Sequence, residues 1–146
     1  PLKGKDRIMS ETISRAMKYG WVWHIPLSNR IGNGYVYSSD YVSKEDAESE
    51  FREYLGEDAE GVKALHLHWN PGRLEHHWKN NCVAIGLSQG FLEPLEALMI
   101  NVIQRSIEGF TEYFEKGGFT DKHCREFNDN VYNLIDGIRD YLQLHY

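Results

Sequence analysis

Glu96 stands where a carboxylate could do proton chemistry. It follows Pro94 at the head of an apolar period, Leu95, Leu98, Met99, Val102, Ile103, Ile107 and Phe110, which predicts one face of a long helix. Pro94 near the start of that segment forfeits no needed N–H. The first turn of a helix carries unpaired N–H groups and a partial positive charge. An acidic side chain there is either an ordinary helix-start residue or a base held beside an electron-rich ligand. Just upstream, Val83, Ala84 and Ile85 read as a short buried strand, and Gly86, Ser88 and Gly90 as a turn. Glycine in such a turn lets the backbone come close to a ligand. A strand, a glycine turn and a helix N-terminus in succession make a site for electron-rich groups.

Two other constellations invite different chemistry. Gly86-Leu-Ser-Gln-Gly90 matches the outline of a hydrolase nucleophile elbow with Ser88 at its apex. An elbow serine is followed directly by its helix, whereas Phe91-Leu-Glu-Pro94 intervenes here. His66 and His68 share a face of an expected strand, and His76-His77 follow the Asn70-Pro71-Gly72 turn. None of these spacings fits a zinc template, so the expectation is no metal and solvent-facing histidines.

The elements that must position these residues come from a 146-residue chain, long enough for one domain with a real core. Its formal charge of −6, with no run of Lys or Arg, argues against a general nucleic-acid binder. Two cysteines without C-x-x-C spacing fit a reduced, cytoplasmic setting. No apolar run reaches the ~18 residues of a membrane span. The start at Pro1 and the finish inside a helical pattern at Leu144-His145-Tyr146 read as a segment of a longer protein.

Along the chain, residues 1–19 carry mixed charge, with Ser10 and Glu11 expected to open a short helix through Met17. Trp21 to Pro26 reads as a strand, with Trp21, Trp23 and Ile25 on one face. Arg30-Ile-Gly-Asn-Gly34 is turn chemistry, with Asn33-Gly34 the hairpin signal and Tyr35 to Tyr37 the returning strand. Ser43, followed by Glu45 and Asp46, caps a helix to about Leu55, ended by Gly56. Lys63 to Trp69 alternates as a strand, and Arg73 to Asn81 supplies a further strand and a polar connection. Lys116-Gly-Gly118 closes the long helix. A last helix from about Asp121 puts Phe127, Val131, Leu134, Ile135, Ile138 and Leu142 on one face. The fold class is α+β, antiparallel strands first and two long helices last.

Three segments resemble the flavin-dependent tryptophan halogenase family. Trp21-Val-Trp-His-Ile-Pro26 matches its W-x-W-x-I-P motif, followed by Arg30, Gly32, Gly34-Tyr-Val-Tyr37 and Ser38-Ser39. Asn81 to Glu96 resembles its flavin-facing strand, turn and helix. Tyr132-Asn133 and Ile138-Arg-Asp-Tyr-Leu-Gln-Leu-His-Tyr146 resemble a helix ending near I-R-D-F-x-x-L-H-Y.

The resemblance implies a segment of a glutathione-reductase-type FAD-binding fold. Residues 1–80 would carry the tunnel-motif strands and helix, 81–116 the flavin-facing part, and 119–146 the start of a helical substrate part. It implies an enzyme that uses reduced FAD, oxygen and halide to chlorinate or brominate tryptophan, an indole or another electron-rich aromatic. A separate flavin reductase would supply the reduced cofactor, and a homodimer is left open. Glu96 would be the catalytic glutamate beside the substrate. Leu87 and Ile100, with Gly86 and Gly90, would border FAD. Trp21, Trp23, Ile25 and Pro26 would line the space between flavin and substrate.

In tryptophan-specific members a small residue, a threonine and usually a glycine follow the glutamate. Here the positions are Ala97, Leu98 and Met99, leaving the Leu98 and Met99 amides as halide donors. No G-x-G-x-x-G occurs in the chain, so the dinucleotide half of an FAD site and the family's catalytic lysine would lie outside it. A relative that hydroxylates its substrate without halide is the alternative enzyme, and a non-catalytic partner-binding fragment the alternative from another class.

Overall fold

The computed structural model describes residues 10–146. The chain divides into two compact units, one ending at Leu67 and the other spanning His68–Tyr146. This boundary falls inside the expected 1–80 segment. No described helix is long and apolar enough to cross a membrane.

The first unit is a three-stranded antiparallel sheet with a helix. Strands β1 (Ile13–Ala16), β2 (Gly20–Pro26) and β3 (Ile31–Tyr37) lie in that order. Within the short helix expected from Ser10 through Met17, residues 13–16 are instead a strand. Ile13 to Ala16 pairs with His24 to Trp21, and the turn closes with Met17 N–H donating to Gly20 O at 2.8 Å. Long-range pairing to the Trp-rich β2 outweighs a weak local helix preference. Residues 1–9 lie outside the described range.

The β2–β3 turn sits at Leu27–Arg30, closed by Leu27 N–H to Arg30 O at 2.8 Å, and not at Asn33-Gly34. Those two residues pair inside β3, Asn33 with His24 and Gly34 with Trp23. Their side-chain needs explain the displacement. The Asn33 amide oxygen lies 2.7 Å from His24 Nδ1, and the Trp23 indole covers Gly34 so closely that a Cβ there would sit 2.3 Å from its ring.

Helix α1 (Lys44–Leu55) has the expected ends. Ser43 Oγ accepts from Asp46 N–H at 3.1 Å, and Gly56 turns the chain with φ 57°. The Tyr35 hydroxyl donates to Glu50 Oε2 at 2.9 Å and accepts from Tyr19 N–H at 3.2 Å, tying α1 to the sheet. Burial and that carboxylate push the Tyr35 pKa up to about 12.

The strand expected over Lys63–Trp69 does not form. Residues 62–71 have no ladder partner among the described residues, and Leu65 and Leu67 are 83% and 74% exposed. Alternation marks a strand only where a neighbouring edge receives it.

The second unit is built on two helices, α2 (Leu98–Lys116) and α3 (Cys124–Gln143). Their core joins Val102, Phe127, Val131 and Ile135 to Trp78, whose indole meets Phe110 edge-on at 4.9 Å. The expected α3 face is the buried one. The expected α2 stop holds as well: Gly117 N–H donates to Tyr113 O, and Gly118 takes φ 64°.

Short strands pin loops to this helical pair. The expected Arg73–Asn81 strand is two pieces, β4 (Gly72–Arg73) and β5 (Trp78–Lys79), and the expected 83–85 strand is the two-residue β6 (Cys82–Val83). Strand β5 pairs with β6 around Asn80, and β4 pairs with β7 (Gly90–Phe91). Asn128 on α3 fixes the hairpin. Its Oδ1 accepts from the N–H of His77 and Trp78, and its Nδ2 donates to Trp78 O.

Candidate functional site

Glu96 is not in the first turn of the long helix. A single tight turn over Leu95–Ala97 precedes α2, with Glu96 at φ 55° and Ala97 at φ 54°, both left-handed. Two consecutive non-glycine residues in that region are uncommon and strained. The reversal buries Leu95, 6% exposed, while leaving Glu96 exposed. The Tyr141 hydroxyl of α3 donates to Glu96 Oε2 at 3.0 Å. Beside it, Tyr146 Oη donates to Glu93 Oε2 at 2.7 Å. Tyr141 in the last turn of α3 and Tyr146 just beyond it thus hold the carboxylates of Glu96 and Glu93.

Leu98 and Met99 are the first residues of α2, and no side chain caps their end of the helix. Their N–H groups stand one and two residues beyond the Glu96-Ala97 reversal, where a helix presents its positive end. Glu96, Leu98 and Met99 are therefore brought together as one helix start.

The turn before Glu96 has its own geometry. Residues 86–88 form one tight turn, and Leu87 projects from it 81% exposed. Gly86 takes φ 71°, and a Cβ there would meet the Ile103 side chain on α2 at 3.8 Å. Gly90 takes φ 154°, and a Cβ there would sit 2.6 Å from Gly72 O. The β4–β7 pairing thus requires glycine at 90. An open cavity of about 470 Å³ lies against Trp69, Arg73, Leu87, Ser88 and Phe91. Ile100 is 69% exposed on α2. Leu87 lines that cavity and gives it an apolar wall of the kind a flat ring system packs against.

Ser88 does not serve a hydrolase. Its hydroxyl donates to Ile85 O at 2.9 Å and accepts from Ile85 N–H, stapling its own turn. Among the described residues no group of three or more His, Cys, Asp or Glu side chains is placed to hold a metal ion. His77 departs from the expected solvent-facing histidines. It is 1% exposed with neither ring nitrogen hydrogen-bonded among the described residues, and burial with Arg73 and His76 nearby pushes its pKa down.

In the first unit the tunnel-motif residues share strand β2. Trp21 is buried, with its indole N–H lacking an acceptor among the described residues, while Trp23, Ile25 and Pro26 are half-buried. Val22, on the opposite face, is fully buried.

Sequence reasoning missed Tyr141. Its only signal was a tyrosine where the family pattern I-R-D-F has phenylalanine. Gln89 was equally hidden: it is fully buried and donates to Ser106 Oγ at 2.6 Å, securing the turn to α2.

Comparison with known proteins shows the family of the chain. The family model described as tryptophan halogenase matches residues 1–146. Tryptophan 6-halogenase SttH of Streptomyces toxytricini is 47% identical over 92% of this chain and 26% of its own length. The 7-chloro-L-tryptophan 6-halogenase KtzR of Kutzneria sp. (strain 744) is 44% identical over 95% of this chain and 27% of its own. The crystal structure of SttH matches with a TM-score of 0.86 over 95% of this chain and 28% of that one. The chain spans about a quarter of the length of the curated relatives it matches.

Proposed function

Because the chain belongs to the tryptophan halogenase family, we propose that it is the flavin-facing and tunnel-motif part of an FAD-dependent enzyme that chlorinates or brominates tryptophan, an indole or another electron-rich aromatic. The observation that carries this reading is Glu96, presented by a strained reversal at the start of α2 with one carboxylate oxygen held by Tyr141. The other oxygen, Oε1, has no partner among the described residues and is free to face a guest.

When bound, reduced FAD supplies with oxygen the oxidising equivalent that makes halide electrophilic. Leu87 and Ile100 would border the isoalloxazine as apolar walls, and Gly86 and Gly90 would let the backbone pass close to it. The Leu98 and Met99 amides would hold halide without the hydroxyl that the tryptophan-specific pattern supplies. Glu96 orients the aromatic ring and accepts the proton lost when halogen replaces hydrogen. A carboxylate suits both tasks, because it stabilises the cationic ring and is a ready base. Trp21, Trp23, Ile25 and Pro26 would line the passage that keeps substrate and flavin apart.

In this reading the segment is part of a glutathione-reductase-type FAD fold, with residues 81–116 flavin-facing and 119–146 opening the substrate part. The whole protein would be cytoplasmic and served by a separate flavin reductase. The names of the relatives favour halogenation over hydroxylation.

The test is Glu96→Gln in the full-length protein, supplied with tryptophan or an indole, bromide and reduced flavin. Halogenated product should fall by at least about 100-fold, the scale of a lost general base, with FAD retained. Unchanged turnover removes Glu96 from its role.

A further inference from the structure

The Glu96 carboxylate is reached by a phenol from a different element, Tyr141 in the last turn of α3. The Tyr141 ring is braced by its own helix end. It meets His145 edge-on at 4.8 Å, and His145 Nδ1 lies 3.1 Å from Tyr141 O. From there Tyr141 Oη reaches Glu96 Oε2 across 45 residues of sequence. We propose that Tyr141 is a positioning residue: its hydroxyl fixes the rotamer of the Glu96 carboxylate so that Oε1 points at the aromatic substrate. This rests on the reading of Glu96 as the substrate-side carboxylate.

Three features support it. Glu96 is exposed, so without a partner its side chain would sample several rotamers. The backbone beneath it is already held by the left-handed pair at Glu96 and Ala97, leaving the side-chain torsions as the remaining freedom. The carboxylate beside it holds the Tyr141 pKa above the usual 10, so the hydroxyl remains a donor throughout the neutral range.

Tyr146 provides an internal comparison. It makes the same kind of bond to Glu93, on the other side of Pro94 and outside the proposed chemistry. A purely structural clamp on the 93–96 turn would make the two tyrosines equivalent. A positioning role makes them different.

The experiment uses the full-length holoenzyme with tryptophan and bromide. Tyr141→Phe should lower kcat about 5- to 10-fold, the scale of an exposed hydrogen bond to a charged group, with KM for tryptophan within about twofold. Tyr146→Phe should leave kcat within about twofold. Tyr141→Phe added to Glu96→Gln should cause no further loss, because the two act as one unit. A second readout needs no turnover: the phenolic difference titration between wild type and Tyr141→Phe should place this phenol above 10, moving back down in Glu96→Gln. Wild-type kcat in Tyr141→Phe, a loss matched by Tyr146→Phe, an additive double variant or an unshifted phenol each overturns the proposal. If Glu96→Gln itself turns over normally, the functional reading fails and this one with it. If Glu96→Gln is crippled and Tyr141→Phe is not, only the positioning role fails.

Discussion

Replacing Gly34 by alanine tests whether the Trp23 indole is held by its cross-strand partner. The two residues are directly paired, and the indole lies over the bare glycine on the edge strand β3. An added Cβ would fall 2.3 Å from Trp23 Cε2, 2.4 Å from Cζ2 and 2.5 Å from Nε1. Ordinary contact begins near 3.4 Å, so the ring must retreat by about 1.1 Å (3.4 − 2.3) or swing to another rotamer. Overpacking of this size costs about 1–3 kcal/mol. Gly32 provides a graded control, since its Cβ would meet Trp23 Cζ3 at 3.3 Å, a conflict a small adjustment relieves. Urea unfolding followed by tryptophan fluorescence, together with near-UV circular dichroism, reads both consequences. Gly34→Ala should lower the midpoint and alter the aromatic dichroism, and Gly32→Ala should do much less of both. Equal effects, or an unchanged spectrum in Gly34→Ala, would show that the glycine is not there to admit the indole. In the full-length protein the same variant should disturb halogenation, because the residue displaced belongs to the proposed tunnel motif.

Two further predictions concern the β5–β6 hairpin and the residue that leads into it. Asn128→Ala removes the acceptor of two backbone N–H groups and the donor to Trp78 O, so unfolding of this unit should be easier by about 2–4 kcal/mol in a denaturant titration. A midpoint within error of wild type refutes that. His77 has its folded pKa depressed, so its contribution is complete above the unfolded value of about 6.5 and lost as pH falls through it, when the unfolded chain binds a proton that the folded one resists. His77→Leu should flatten the fall in stability between about pH 7 and pH 5, and an unchanged slope would mean the imidazole is not titrating against its burial.

How far the sequence could be read depended on the range of the forces involved. Both long helices and α1 were legible because period, caps and terminal glycines are local: Ser43, Gly56 and Gly117-Gly118 act within a turn of the helix they end. Turns and strands failed where a distant partner decided the outcome. Asn33-Gly34 has the composition of a hairpin turn, but its glycine is needed under Trp23 and its asparagine beside His24. Lys63–Trp69 alternates but pairs with no edge among the described residues, and residues 13–16 became a strand because β2 offered one. The burial of His77 could not be read from a His-His pair, since Trp78 and Asn128 draw that backbone inward. In the candidate site, the order of glycine turn, Glu96 and helix start was legible. The left-handed reversal and the phenol on Glu96 were not: the reversal follows the burial of Leu95, and the phenol comes from α3, some 45 residues later.

That reversal is the feature whose existence needs a cause. Each left-handed non-glycine residue costs about 1–2 kcal/mol, so Glu96 and Ala97 together oppose the fold by about 2–4 kcal/mol. Burial of Leu95 returns about 1.5–3 kcal/mol, and the hydrogen bond from Tyr141 adds a fraction of that at an exposed site. The terms nearly cancel, so the conformation is held by its two ends, the leucine driven into the core and the carboxylate tied to α3. Glycine at position 97 would relieve part of the strain locally, but it would also free the peptide that carries Glu96. Alanine there keeps the conformation costly and narrow, which is the condition under which a single exposed carboxylate can be aimed.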